Sequence, residues 1–181
     1  FMIENTNGTV TGLTIRNNSY HYATIAGQTY APINFYNNTL YGCSTHPNSN
    51  GFGVLFRKST GTNNASGSNV YNNIFANCGS GPSNGWFSAM EGAVINSDNN
   101  LVYPTKPAFN DPHGINGSDP LFVDAANGNL NISSNSPAID RGYTVPSFSD
   151  DLLSMSRPQG SAWDIGAYEY TGTPVSTPTP V

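Results

Sequence analysis

Four double asparagines, each set in an apolar stretch, constrain this chain more than any other feature: Asn17-Asn18, Asn37-Asn38-Thr39-Leu40, Asn72-Asn73-Ile74-Phe75 and Asn99-Asn100-Leu101-Val102. Asparagine is depleted in ordinary strands. When successive windings of a backbone stack at about 4.8 Å, however, amides held in register can hydrogen-bond along the stack. The pairs therefore predict a β-solenoid. Its phase can be checked, because Asn37 to Asn72 and Cys43 to Cys78 are both steps of 35 residues. The steps from Asn17 to Asn37 and from Asn72 to Asn99 are 20 and 27 residues, as when rungs share strands but differ in loop length. Leu13 to Ile15, Ile33 to Tyr36, Val54 to Phe56 and Trp86 to Met90 read as further stacked strands.

Composition agrees. A chain of 181 residues with 36% hydrophobic content suits one elongated domain, and with only 9% charged residues its solubility rests on Asn, Ser, Thr and Gly, as in extracellular β-proteins. No window sustains a 3.6-residue apolar period, so long helices are not expected. A net charge of −5 with six scattered Lys and Arg leaves no basic patch for nucleic acid or anionic membrane. No apolar run approaches the roughly 20 residues of a membrane helix, so no membrane insertion is expected. Cys43 and Cys78 hold the same phase, which admits two readings: a disulfide between neighbouring rungs, or two buried thiols stacked in the core. Of six sequons, at Asn7, Asn17, Asn37, Asn64, Asn116 and Asn131, the one at Asn64 lies in the Gly61 to Ser68 loop and is the glycosylation candidate.

Residues 1–103 read as solenoid rungs, incomplete at the amino end, where Phe1 to Asn5 already resembles part of a rung. Residues 104–170 change to segments punctuated by Pro and Asp, as expected for last rungs and a cap that closes an open core. Residues 171–181, a Thr/Pro tract, read as an extended linker toward another module or a surface anchor.

Within the cap, Asp119-Pro-Leu-Phe-Val-Asp124, Gly128-Asn-Leu130, Ser136-Pro-Ala-Ile-Asp-Arg-Gly142, Arg157-Pro158 and Asp164-Ile-Gly-Ala-Tyr-Glu-Tyr170 follow one another. This series resembles the C-terminal signature of secreted right-handed parallel β-helix proteins, pectate-lyase-like in fold, including those of the choice-of-anchor Q type. The resemblance implies an all-β, right-handed parallel β-helix with an irregular C-terminal cap, secreted or anchored at the cell surface. It says little of activity, since such relatives include polysaccharide lyases, hydrolases and adhesins.

A polysaccharide lyase needs a Lys or Arg base and carboxylates holding calcium. Between residues 1 and 97 the only acids are Glu4 and Glu91, and the only strong bases Arg16, Arg57 and Lys58. A glycosidase needs two carboxyls roughly 5–9.5 Å apart, and Glu4 and Glu91 fall at opposite ends of the predicted stack. No catalytic residue is assigned. The later acids, Asp98, Asp111, Asp119, Asp124, Asp140, Asp150, Asp151 and Asp164, would suit calcium chemically, but their spacing fits no calcium loop and reads better as turns and cap contacts. His21, His46 and His113 lack zinc spacing, so no cofactor is expected, and calcium at the later acids stays as the one alternative.

Aromatic residues, 12% of the chain, are the better functional clue, since rings on a sheet face can stack on sugars. Tyr20, Tyr22, Tyr30, Tyr41, Tyr71 and Trp86 fall at rung edges or loops and are the carbohydrate-binding candidates, while Tyr36, Phe56 and Phe75 should stack inward. The expected role is structural and recognitive, toward a polysaccharide or cell-surface glycan. Two alternatives are a fragment of a pectate-lyase-like enzyme, and a subunit that self-assembles through an open first rung.

Overall fold

The computed structural model describes residues 2–3, 12–21, 28–29, 31–43, 54–56, 64–79, 87–89, 92–106 and 110–172. Within these the chain is nearly all β, with a single 3-10 turn at Ala125–Asn127. The strands are β1 (Met2–Ile3), β2 (Leu13–Arg16), β3 (Ser19–His21), β4 (Gln28–Thr29), β5 (Ile33–Tyr36), β6 (Thr39–Tyr41), β7 (Val54–Phe56) and β8 (Asn69–Tyr71). After them come β9 (Ile74–Ala76), β10 (Phe87–Ala89), β11 (Asn96–Asp98), β12 (Leu101–Tyr103), β13 (Ile115–Asn116), β14 (Phe122–Asp124) and β15 (Asn129–Ile132).

From β4 to β12, every strand pairs in parallel with the strand three places before it. Three sheets of stacked strands result: β1-β4-β7-β10, β2-β5-β8-β11, and β3-β6-β9-β12, the last extended by β13. The register carries like onto like, with Phe35 on Val70 and Leu40 on Phe75, then Val102. These side chains join Ile33, Phe56, Ala65, Cys43 and Cys78 in one buried cluster, which supplies the apolar burial that holds the stacked strands together. Cys43 and Cys78 are free thiols. They stack, the Cys43 backbone N–H meeting the Cys78 sulfur at 3.4 Å, and burial pushes the Cys78 thiol pKa well up.

Each double asparagine is the whole connection between a strand of the second sheet and the next strand of the third, and its two members do different work. Asn17, Asn37, Asn72 and Asn99 take φ of 52°, 48°, 57° and 54°, a left-handed bend that Asn tolerates better than other residues with a Cβ. Their partners turn inward and form a chain of amides. Asn18 donates to Asn38 at 2.9 Å, Asn38 to Asn73 at 3.0 Å and Asn73 to Asn100 at 2.9 Å, always from Nδ2 to Oδ1. A second, outer row runs from Asn96 to Asn69 at 3.0 Å and from Asn69 to Asn34 at 2.8 Å.

The segment from Asp119 to Tyr170, part of the 104–170 stretch read as last rungs and cap, packs along the third sheet. Ile132, Ala138 and Ile165 pack on Ile74, Ala76 and Leu101 of the third sheet. Beyond them the backbone crosses the row of bends: Asn99 donates to the Arg141 carbonyl, Asn72 to that of Tyr143, Asn17 to that of Asp150 and Asn37 to those of Asp164 and Gly166. Gly166, at φ +102°, comes so close to the sheet that a Cβ would lie 2.7 Å from Ile74 Cδ1 and 2.8 Å from Thr39 Oγ1. The strap is thus bonded to the bends that follow four stacked strands of the second sheet.

Candidate functional site

The middle residue of each three-residue strand in the third sheet faces the core, so the flanking positions face outward. One outward column runs His21, Tyr41, Ala76, Tyr103. Tyr41 and Tyr103 stand two strands apart, about 9.6 Å, with the small Ala76 between them. The strap passes opposite. There the Phe122 ring meets Tyr41 edge-on at 6.0 Å. Leu121 holds a left-handed φ of 54° and is 39% exposed, its N–H bonded to Asp119 Oδ1 at 2.8 Å and its carbonyl accepting from Ser133 at 2.9 Å. Together these groups enclose a cleft of about 230 Å³.

Two polar side chains stand at the cleft. Asn77 is exposed, its backbone N–H tied to the Tyr103 carbonyl at 2.7 Å, and Asp119 is the one carboxylate among the described residues of the lining, which hold no Lys, Arg or His. Aromatic walls with an amide and a carboxylate can stack on a sugar ring and bond its hydroxyls.

Of the aromatics singled out in the sequence, Tyr41 forms a wall of this cleft. Tyr20 shares its register with Leu40, Phe75 and Val102 and packs, half-buried, against the core cluster. Tyr71 stacks on Tyr36 at 5.7 Å. Tyr22, Tyr30 and Trp86 lie outside the described residues. Asn64 is half-buried, its side chain accepting from the Ser66 N–H at 2.9 Å. Tyr103 and Phe122 are added by the structure. The same steps of 35 and 27 residues carry Tyr41 to Ala76 and Tyr103, so the rung period marks Tyr103; nothing periodic marks Phe122.

The later acids are dispersed. Among the described residues no group of three or more His, Cys, Asp or Glu side chains is placed to hold a metal ion. Asp164 accepts backbone N–H groups from Asp140 at 2.7 Å and Tyr170 at 2.6 Å. Glu169 is paired with Arg157 at 2.6 Å, both side chains fully buried.

Asp111 ends the amide chain. Asn100 Nδ2 donates to its Oδ2 at 2.6 Å, while Oδ1 is buried without a partner. Burial pushes the carboxyl up to about 6, against the Asn100 bond and with help from the Asp98 charge. A folded-state pKa above the ordinary value means that the fold binds the proton more tightly than the unfolded chain does. This group's contribution to stability is therefore greatest below about pH 4 and is lost as pH rises through about 6, a change of up to about 3 kcal/mol. Asp111→Asn should remove that slope: its stability relative to the parent should rise between pH 4 and pH 8 in urea titrations. A pH-independent difference would contradict the assignment.

No family model matches the chain, and no curated protein matches it.

Proposed function

We propose that the chain is a right-handed parallel β-helix module of a secreted or surface-attached protein, and that its role is structural and carbohydrate-recognising rather than catalytic. The parallel pairing of each strand with its third predecessor supports the solenoid, and parallel crossovers within one sheet are right-handed in nearly all proteins. The recognitive reading rests on one observation: two tyrosines in a single outward column, separated by alanine, wall a cleft that offers hydrogen-bonding groups and no catalytic pair.

The test is calorimetric titration with soluble neutral polysaccharides, alongside polygalacturonate and alginate. Binding of a polysaccharide that weakens about fivefold in Tyr103→Ala, the loss of about 1 kcal/mol of ring stacking, is the expected outcome. Unchanged affinity in that variant would overturn the cleft assignment, and release of unsaturated or reducing ends would move the chain to the pectate-lyase-like alternative.

A second reading is self-assembly. β2 and β3 are the last strands at one end of their sheets, and Ile15 and Tyr20, both in core register, line an open hollow there of about 400 Å³. Such an edge can pair with another copy. Light scattering that grows with protein concentration would support it, and a monomer at every concentration would remove it.

A further inference from the structure

A second hollow lies on the opposite side of the bends from the cleft, walled by Tyr71, Tyr143 and Asp98, with a volume of about 180 Å³. We infer that it is a binding site for an organic ammonium cation. The two rings stand 5.8 Å apart at 67°, so they form two walls of one corner. The face of a tyrosine ring is negative, and a cation set against it is attracted.

The corner is built before any ligand arrives. Tyr71 is backed by Tyr36, stacked at 5.7 Å and 18°, and its hydroxyl bonds Asn69 at 3.4 Å. Tyr143 is half exposed, yet its backbone is clamped on both sides by one side chain: its N–H donates to Asn72 Oδ1 at 2.7 Å, and its carbonyl accepts from Asn72 Nδ2 at 2.7 Å. A pocket whose walls are already held loses little freedom on binding.

Asp98 supplies the charge. It accepts the backbone N–H groups of Asn99 at 3.0 Å and His113 at 2.9 Å, and the His113 ring at 2.9 Å. These bonds favour the ionised form and hold its pKa below the ordinary value, although burial alone would raise it. Asp111 adds negative potential from behind. Asp98 pairs with His113, whose side chain is 72% exposed, and among the described residues no Lys or Arg lines the hollow. The carboxylate and both rings thus line one small, open space. An anionic ligand would be repelled there, and a neutral one would gain only the ring contacts.

The ammonium could be the amine of a glucosamine unit or the quaternary head of a choline ester, and the shared chemistry is what the corner reads. Titration of the intact chain with tetramethylammonium chloride, followed by NMR shifts of Tyr71 and Tyr143, tests it, with tert-butanol as the uncharged counterpart at matched ionic strength. Saturable shifts with tetramethylammonium and none with tert-butanol are expected. Asp98→Asn should weaken binding at least fivefold, Tyr143→Ala about threefold, and His113→Ala should strengthen it by freeing the carboxylate. Glucosamine trimer against its N-acetylated form separates a sugar amine from a quaternary head. Equal responses to the cation and the alcohol, or undiminished binding in both Asp98→Asn and Tyr143→Ala, would overturn the inference. Failure of the cleft to bind polysaccharide would leave it standing.

Discussion

Replacing Asn73 by alanine should lower the unfolding free energy by about 4 kcal/mol, the cost of a buried cavity together with several orphaned polar groups. Asn73 is fully buried. Its oxygen accepts both the backbone N–H and the side-chain amide of Asn38, and its amide donates to the carbonyls of Phe35 and Tyr71 and to Asn100. Alanine strands all of these away from water. Asn18→Ala, at the end of the row and half-buried, should cost about 1 kcal/mol, the worth of an ordinary hydrogen bond. Urea denaturation of the two variants would check the contrast, and equal losses would mean that the row is not a connected stack.

The second large effect is expected at the strap. Arg157→Met removes one member of an ion pair whose side chains are both fully buried, along with donors to the Asp150, Asp164 and Gly166 carbonyls. Glu169 would keep the N–H groups of Gln159 and Asp164 but lose its counter-charge, and a buried charge left so costs about 3–5 kcal/mol. The pair itself need not be net stabilising, so Arg157→Met with Glu169→Gln should recover much of that loss. Because the guanidinium lies 5.6 Å from the Trp163 ring, tryptophan fluorescence should report the single variant. A loss under about 1 kcal/mol would show that the strap does not depend on this pair.

Both predictions bear on what could be read from the chain alone. The stacked strands were legible because amide rows demand register, and register leaves equal steps in the sequence, here the 35 residues shared by Asn37 to Asn72 and Cys43 to Cys78. The division of labour within each asparagine pair was not, since one letter serves a left-handed bend and an inward amide alike. For Tyr20, position along the rung placed it near an edge, and strand parity adds that it also packs against the core cluster. The strap escaped because its contacts follow no period; Arg141, Tyr143 and Asp150 meet Asn99, Asn72 and Asn17 through their backbone carbonyls, which carry no side-chain signature. For the same reason the cleft was half visible, with Tyr41 and Tyr103 on the rung period and Phe122 brought in by the strap.

Asp111 shows where repetition breaks. Ile115 N bonds the Asn100 carbonyl as Leu101 N bonds that of Asn73, so the place that would hold the next ladder asparagine is occupied by Gly114. A carboxylate from three residues earlier takes over as acceptor for Asn100. An acid that reads as a turn residue in sequence is, in the fold, the end of the inner row of amides.

The central claim is that successive windings lie on one another with their amides in contact, and nuclear Overhauser effects between asparagine side-chain amides address it most directly. Cross-peaks linking Asn38 to Asn73 and Asn73 to Asn100, residues 35 and 27 apart in sequence, are the expected result. Amide protons of these asparagines that show only contacts to their own sequence neighbours would contradict it.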